Sequence, residues 1–319
     1  MEDLLTALRA CAEPTRLRLL ALAARGAFCV MDFTEILGQS QPRLSRHLRL
    51  LGEAGLLERT REGSNVWFAL PPATSLAGSL ARAVLDRLPD SDDTLAADRR
   101  QAARVLSERA RAATESFQRR GADWDEMRAL DLPAAAVEAA LLDLLPTAID
   151  RLLDIGTGTG QLLELVAPRV GSGIGVDASR AMLALARARL ARPGLTHCAV
   201  RLGDMYRLPF PDGVHDVVVL QMVLHHAEDP AGAIAEAARV LRPGGLLLAI
   251  DLDAHDRADL AERFAHRWPG FSQARMNELF TAAGLSPAAT ARVAGPLAVL
   301  LHAAHAPAYA EMTTLETLP

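Results

Sequence analysis

The 319-residue sequence contains no lysine, so all 34 of its basic residues are arginine. That bias is read as compositional rather than functional. Cysteine is nearly as scarce: Cys11, Cys29 and Cys198 are odd in number, far apart and free of any C-x-x-C pair. A disulfide framework is excluded, and a reducing cytoplasm is the expected setting. No run approaches the roughly 18 uninterrupted apolar residues that span a bilayer. The opening "MEDLLTALRA" is acidic at once and lacks the basic start and apolar core of a signal peptide. The net charge of -5 excludes a uniformly basic nucleic-acid coat but leaves room for a local basic surface.

What is present is apolar content, 50% of the chain, enough for sizeable cores in about two domains of roughly 150 residues each. The patterning divides the chain into a domain over 1–88, connecting helices over 89–130 and a second domain over 131–319. The first part gives short helical patterns and then a strand-turn-strand, "LLERTREGSNVWFAL", with the turn at Glu62-Gly63-Ser64-Asn65. Pro14 suits a helix first turn and Gly26 a helix end. In "ATSLAGSLARAVLDRL", Leu76, Leu80, Val84 and Leu88 recur on one helical face, and a polar break, "PDSDDT", follows. The Arg- and Ala-rich stretch 96–120 reads as one long helix with a solvated basic face. From 151 onwards short apolar strands alternate with helices, which predicts a parallel sheet covered on both faces, with ligands at the carboxyl ends of its strands.

The segment "SQPRLSRHLRLLGEAGL" has the make-up of a DNA-recognition helix. Ser40 is placed to cap it, and Leu44, Leu48 and Leu51 supply an inner face. Gln41, Arg43, Ser45 and Arg46 are left on the outer face near its start, where Arg pairs bidentately with guanine and Gln with adenine. Arg49, one turn on, suits a phosphate. Arg59 and Arg61 on the following hairpin suit a wing against the DNA backbone or minor groove. Residues 4–70, above all "EPTRLRLL", "SRHLRLLGEAGLL" and "REGSNVWFAL", resemble the winged-helix repressors of the ArsR/SmtB family. The resemblance implies binding to double-stranded operator DNA and a homodimer paired through terminal helices such as "LLTALRA" and the stripe at 76–88. One departure matters. Family members that sense metal use a Cys-x-Cys, whereas "FCVMDF" holds Cys29 followed by Met31. A single thiol cannot build the usual thiolate site, so Cys29 is expected as a buried small hydrophobe.

In "LLDIGTGTGQLLEL" a buried strand leads through Gly156, Gly158 and Gly160 into a helix. The spacing is G-x-G-x-G rather than the dinucleotide G-x-G-x-x-G, and Asp154 precedes it, which favours a cationic ligand over a pyrophosphate. Asp177 in "GIGVDAS" can take both hydroxyls of a ribose, and Asp204 in "GDMYRLPF" can accept from an adenine amino group with Met205 against the ring. Acids at three successive strand ends beside a glycine turn are a far more specific signal than any one of them.

With "GDMYRLPFPDGVHDVVVLQMVLHH" and "EAARVLRPGGLLLAIDL", these motifs resemble, in order, class I S-adenosylmethionine-dependent methyltransferases. The implied architecture is α/β: an N-terminal winged helix-turn-helix plus a C-terminal Rossmann-like methyltransferase fold with a mostly parallel seven-stranded sheet. The implied cofactor is S-adenosylmethionine or S-adenosylhomocysteine. Asp154, Gly156, Thr157, Gly158 and Gly160 would line its methionine part, Asp177 would bind its ribose, Asp204 and Met205 would hold its adenine, and Ala178 and Met182 would also contact the cofactor. Gln221 to Leu224 would floor the pocket, and Trp124, Asp125 and Arg128 of "DWDEMR" would form a lid.

Methyl transfer needs in-line positioning and exclusion of water, and only sometimes a base. His225 and His226 are the candidate proton acceptors, with a structural role the commoner one for a histidine so placed. Asp251, Asp253 and His255 are expected as loop caps, His302 and His305 have no assigned role, and no metal site is expected. Two functions follow: a DNA-binding regulator with the cofactor as effector, or a working methyltransferase on a small-molecule acceptor that regulates its own operon.

Overall fold

The computed structural model of the protein describes residues 2–62, 65–71, 75–89, 91–119, 126–192 and 194–308. The chain begins with helices α1 (Glu2–Cys11) and α2 (Pro14–Ala23). Strand β1 (Phe28–Cys29), helices α3 (Val30–Leu37) and α4 (Gln41–Glu53), and strands β2 (Glu58–Glu62) and β3 (Asn65–Ala69) follow. Pro14 opens α2, and the Glu13 carboxylate accepts from the Arg16 backbone N–H at 2.8 Å, satisfying one of the donors a helix start leaves over. Gly38 closes α3 in the left-handed conformation, φ 64°.

Leu44, Leu48 and Leu51 face inward from α4, as their spacing predicts, and meet Leu19, Leu20, Phe28, Phe33, Leu56 and Phe68. Burying each such side chain is worth about 1.5–3 kcal/mol. Strand β3 lies between β1 and β2, antiparallel to both, with Phe28 opposite Phe68 and Glu62 opposite Asn65. Gly63 and Ser64 of the expected turn lie outside the described residues.

Helices α5 (Leu76–Leu85), α6 (Asp93–Arg119), α7 (Glu126–Ala129) and α8 (Ala134–Leu144) come next. The stripe expected on α5 is only partly inward. Leu80 and Val84 pack on the core, while Leu76 is 73% exposed and the buried positions are Gly78 and Ala81. Helix α6 is anchored by a forked pairing of Arg18 with Asp98, at 2.6 and 2.7 Å.

The rest of the chain alternates strand and helix: β4 (Ile149–Ile155), α9 (Gln161–Val166), β5 (Val170–Asp177), α10 (Arg180–Leu190), β6 (Cys198–Leu202) and β7 (His215–Gln221). Then come α11 (Pro230–Val240), β8 (Leu241–Leu252), α12 (Asp259–Phe264), α13 (Gln273–Ala282), β9 (Ser286–Val293) and β10 (Val299–His305). The seven-stranded sheet has the order β6-β5-β4-β7-β8-β10-β9. Strand β4 runs parallel to β5 and β7, and β7 to β8, while β10 is antiparallel to β8 and β9. This is the mostly parallel, Rossmann-like sheet that the sequence predicts.

Leu152, Leu153, Val217 to Leu220 and Leu247 to Ile250 are buried without alternation, because helices cover both faces. The chain winds outward from β4 through β5 to β6 and restarts at β7. The strand order therefore reverses between β4 and β7, where the carboxyl ends open a crevice.

Two compact units result. One holds the described residues of 1–114 and 181–201, the other those of 115–180 and 202–319. The core of the second is built from Leu153, Ile155, Val218, Leu220, Leu247, Phe271, Met276 and Phe280. Among the described residues, no helix is long and apolar enough to cross a membrane.

Candidate functional site

The glycine turn after β4 is tied to β5 by its backbone, since the N–H groups of Gly156 and Thr157 both donate to the Val176 carbonyl, at 2.8 and 3.0 Å. Gly156, Gly158 and Gly160 all have positive φ, 73°, 52° and 74°. At Gly156 the need for glycine is double, because a Cβ there would sit 2.5 Å from Cγ2 of Val223. Space beside Gly158 is open: the nearest atom to a Cβ would be a backbone oxygen 4.0 Å away. That is the room a ligand needs to reach the backbone.

Three acids stand at or just past the ends of β4, β5 and β6. Asp154 is buried and accepts from the Thr157 hydroxyl at 2.6 Å, so Thr157 fixes the acid as well as the turn. Burial pushes the Asp154 carboxyl up to about 7 against the opposing Thr157 hydrogen bond, and the charge of Asp177 adds to the rise. Asp177 is half-buried, with Oδ2 accepting from Gly158 N–H at 2.9 Å and Oδ1 from Ser179 N–H at 2.7 Å. Burial raises its pKa too, against the two backbone donors. Asp204 is exposed and accepts from Tyr206 N–H at 3.0 Å. Met205 is half-buried on the core. Both inner carboxylates are thus short of positive charge, which a cationic ligand would supply.

Beyond the acids, Ala178 is exposed, Met182 and Gln221 are half-buried, and Leu224 is fully buried. Trp124, Asp125 and the side chain of Arg128 lie outside the described residues. Met222 is a non-glycine residue held at φ 53°, directly after β7.

His225 is fully buried, and its Nδ1 lies 2.6 Å from Oδ1 of Asp251. Asp251 is not a loop cap as expected. It belongs to β8, is 1% exposed, and also accepts from the backbone N–H groups of His225 and Leu252, at 3.2 and 2.8 Å. The pairing of β7 with β8 brings it there. A third imidazole, unforeseen in the sequence, joins this pair: the His266 ring centre is 4.2 Å from that of His225 and 5.3 Å from that of His226. Arg267 and Trp268 hold it in place by donating backbone N–H groups to the His225 carbonyl, at 2.8 and 3.1 Å. No spacing in "FAHRWPGF" signals this, because the link is made by main-chain atoms of a distant turn. His302 is buried in β10 and pushed down to about 4 by burial, while His305 is exposed.

On α4, Gln41, Arg43, Ser45, Arg46 and Arg49 are all exposed, as are Arg59 and Arg61 on β2. Ser40 holds the N-cap position without a side-chain capping bond, and a proline in the first turn, Pro42, starts the helix. Cys29 is buried, with its Sγ 3.6 Å from Nη2 of Arg109. Within the first unit, Arg187 on α10 places Nη2 2.7 and 2.9 Å from the two oxygens of Glu62 on β2. Its guanidinium lies 3.6 Å over the Trp67 ring.

Residues 13–59 match the family described as bacterial regulatory protein, arsR family, and residues 153–249 match the methyltransferase domain family. An uncharacterized methyltransferase of Schizosaccharomyces pombe is 35% identical over 136 residues, which are 40% of this chain and 49% of that protein. The uncharacterized methyltransferase YcgJ of Bacillus subtilis is 34% identical over 116 residues, 36% of this chain and 46% of the relative. The chain spans about half or less of the length of these curated relatives. Among solved structures, a putative methyltransferase complexed with the Haloferax volcanii Trm112 activator superposes with a TM-score of 0.50 at 23% identity. It covers 61% of this chain and 97% of its own, a likeness of fold. Sheet order, glycine turn and both family matches agree: the chain joins an arsR-family helix-turn-helix domain to a methyltransferase domain.

Proposed function

We propose that this protein is a transcriptional regulator whose methyltransferase domain binds S-adenosylmethionine or S-adenosylhomocysteine as its effector. In this reading, residues 1–88 bind double-stranded operator DNA through α4 and the β2–β3 hairpin, residues 89–130 connect, and residues 131–319 hold the cofactor. Exposed Leu4, Leu5 and Leu8 on α1 and Leu76 on α5 give a homodimer an apolar face to bury. None of the three cysteines forms a disulfide, which suits a protein working in the reducing cytoplasm.

The cofactor assignment rests on the acids at the crevice. Asp177 would accept from the ribose hydroxyls, and Asp204 from the adenine amino group beside Met205. The backbone from Gly156 to Gly160, with Asp154 beneath it and Gln221 and Leu224 across the crevice, would receive the positively charged methionine end. Bound there, the cofactor supplies an activated methyl group.

The observation that favours an effector role is that an arsR-family helix-turn-helix domain and a methyltransferase domain share one chain. An effector must bind the DNA-competent and DNA-incompetent states with different affinity, and a cofactor site covalently joined to the DNA-binding domain is a means to that difference. Operator affinity is therefore measured with no ligand, with S-adenosylmethionine and with S-adenosylhomocysteine. A shift of at least fivefold is expected with one of them, and identical affinities at saturation would sink the effector role.

A second reading, a working methyltransferase on a small-molecule acceptor, is favoured by the His225–Asp251 pair. A carboxylate on Nδ1 orients the ring and makes Nε2 its basic nitrogen, with His226 beside it. An acceptor screen that reads formation of S-adenosylhomocysteine tests it, and turnover above the acceptor-free rate is the expected sign.

A further inference from the structure

We propose that His225, His226 and His266 form a binding site for one divalent first-row transition-metal ion, with zinc as the reference cation. Each ring offers one nitrogen, and the three nitrogens lie within 4.8 Å of one another. Tetrahedral zinc with nitrogens at about 2.0–2.1 Å places its ligands about 3.4 Å apart. Side-chain rotation that closes the set by up to about 1.4 Å is therefore enough.

Three further features point the same way. First, Asp251 engages Nδ1 of His225, which makes Nε2 the more basic nitrogen. A carboxylate behind an imidazole is the arrangement that orients metal-binding histidines. Second, the geometry is built by the backbone. His225 and His226 are neighbours in the single-turn helix Leu224–His226, and the His225 carbonyl receives both Arg267 N–H and Trp268 N–H, which fixes His266 from the other side. The Trp268 indole adds a bond to the Ala227 carbonyl at 2.8 Å. Third, His225 is fully buried and His266 is 6% exposed, so packing alone would favour hydrocarbon over rings with a desolvation cost that ligation offsets.

Three imidazoles without a thiolate suit zinc, nickel or copper, and they leave a fourth position open. No metal site is expected from residue order, because His266 lies 40 residues from His226 and no ligand spacing links them. Val223, which closes on Gly156, is two residues from His225, so the metal would stand at the same end of the sheet as the glycine turn. Ligation and proton acceptance compete for the same ring nitrogens of His225 and His226. A metal there leaves the effector reading untouched and removes the base invoked for a working methyltransferase.

The test uses the full-length, tag-free protein stripped with a chelator and titrated with Co²⁺, followed by visible ligand-field absorption. Saturation at one equivalent with the strong bands of four-coordinate cobalt, and their loss on adding Zn²⁺, is expected. His226→Ala, on a half-buried ring, and His266→Ala are each expected to weaken binding at least tenfold, Asp251→Asn by about 10–100-fold, and His305→Ala not at all. Thermal unfolding with and without Zn²⁺ shows whether a variant is folded before it is titrated. A folded wild-type protein that binds no cobalt, or binding undiminished in folded His226→Ala, would overturn the site.

Discussion

The carboxylate of Asp251 and the imidazole of His225 meet at 2.6 Å, one from strand β8 and the other from the turn after β7, and both side chains are buried. Asp251 also holds two backbone N–H groups, so its removal leaves three donors without an acceptor. Breaking a buried pair of this kind costs about 3–5 kcal/mol. Asp251→Ala is expected to lose that much stability in denaturant unfolding, and Asp251→Asn, which keeps an acceptor oxygen, clearly less. Equal losses would show that the charge, and not the remaining acceptor oxygen, carries the stability.

At the glycine turn, Gly156→Ala places a methyl group 2.5 Å from Val223 Cγ2 on a backbone at φ 73°. Cofactor affinity by calorimetry is expected to fall at least tenfold in this variant. Adding Val223→Ala relieves the clash but not the φ strain, so it is expected to restore part of the affinity. Full restoration would leave the left-handed backbone without a role.

Recognition by α4 separates into energy and reading. Leu48→Ala empties a core position and is expected to destabilise the fold by about 2–5 kcal/mol. Arg46→Ala, on the exposed face, is expected to leave the melting temperature unchanged and to weaken operator binding by about 1–3 kcal/mol, read by fluorescence anisotropy. An Arg46→Ala protein with full operator affinity would move the reading surface elsewhere.

Two buried groups set opposite pH slopes. Asp154 titrates at about 7 when folded and at 3.8 by default, so folding binds a proton. Its contribution is most favourable below about pH 4, declines as pH rises from 4 to 7, and is constant above. His302, at about 4 when folded against 6.5, does the reverse: its contribution is full above pH 6.5 and is lost as pH falls towards 4. Asp154→Asn is therefore expected to raise the melting temperature relative to wild type at about pH 8 and not at about pH 4. His302→Gln is expected to remove the acid-side fall. Parallel wild-type and variant curves in either case would contradict the assignment.

Much of this could be read from residue order, for reasons that differ by element. Leu44, Leu48 and Leu51 betray α4 because a helix that packs on one side must repeat near 3.6 residues. Asp154, Asp177 and Asp204 betray the crevice because parallel strands deliver their ends to one edge. Leu76 does not follow its stripe, since α5 buries Gly78 and Ala81 instead, and small residues carry no periodic signal. His266 and Asp251 were out of reach because their partners lie 41 and 26 residues away and are joined through backbone bonds and sheet pairing. The Glu62–Arg187 pair spans 125 residues, and no local pattern encodes a contact at that range.

The left-handed backbone at Met222 carries a consequence for the life of the protein. A non-glycine residue held there costs on the order of 1–3 kcal/mol, and glycine would relieve it. Stability has thus been yielded at the junction between β7 and the histidine turn, where the chain must change direction to bring Val223 against Gly156. Selection for a more heat-resistant form of this protein would find an easy gain at this position, and the variant that took it would slacken the crevice.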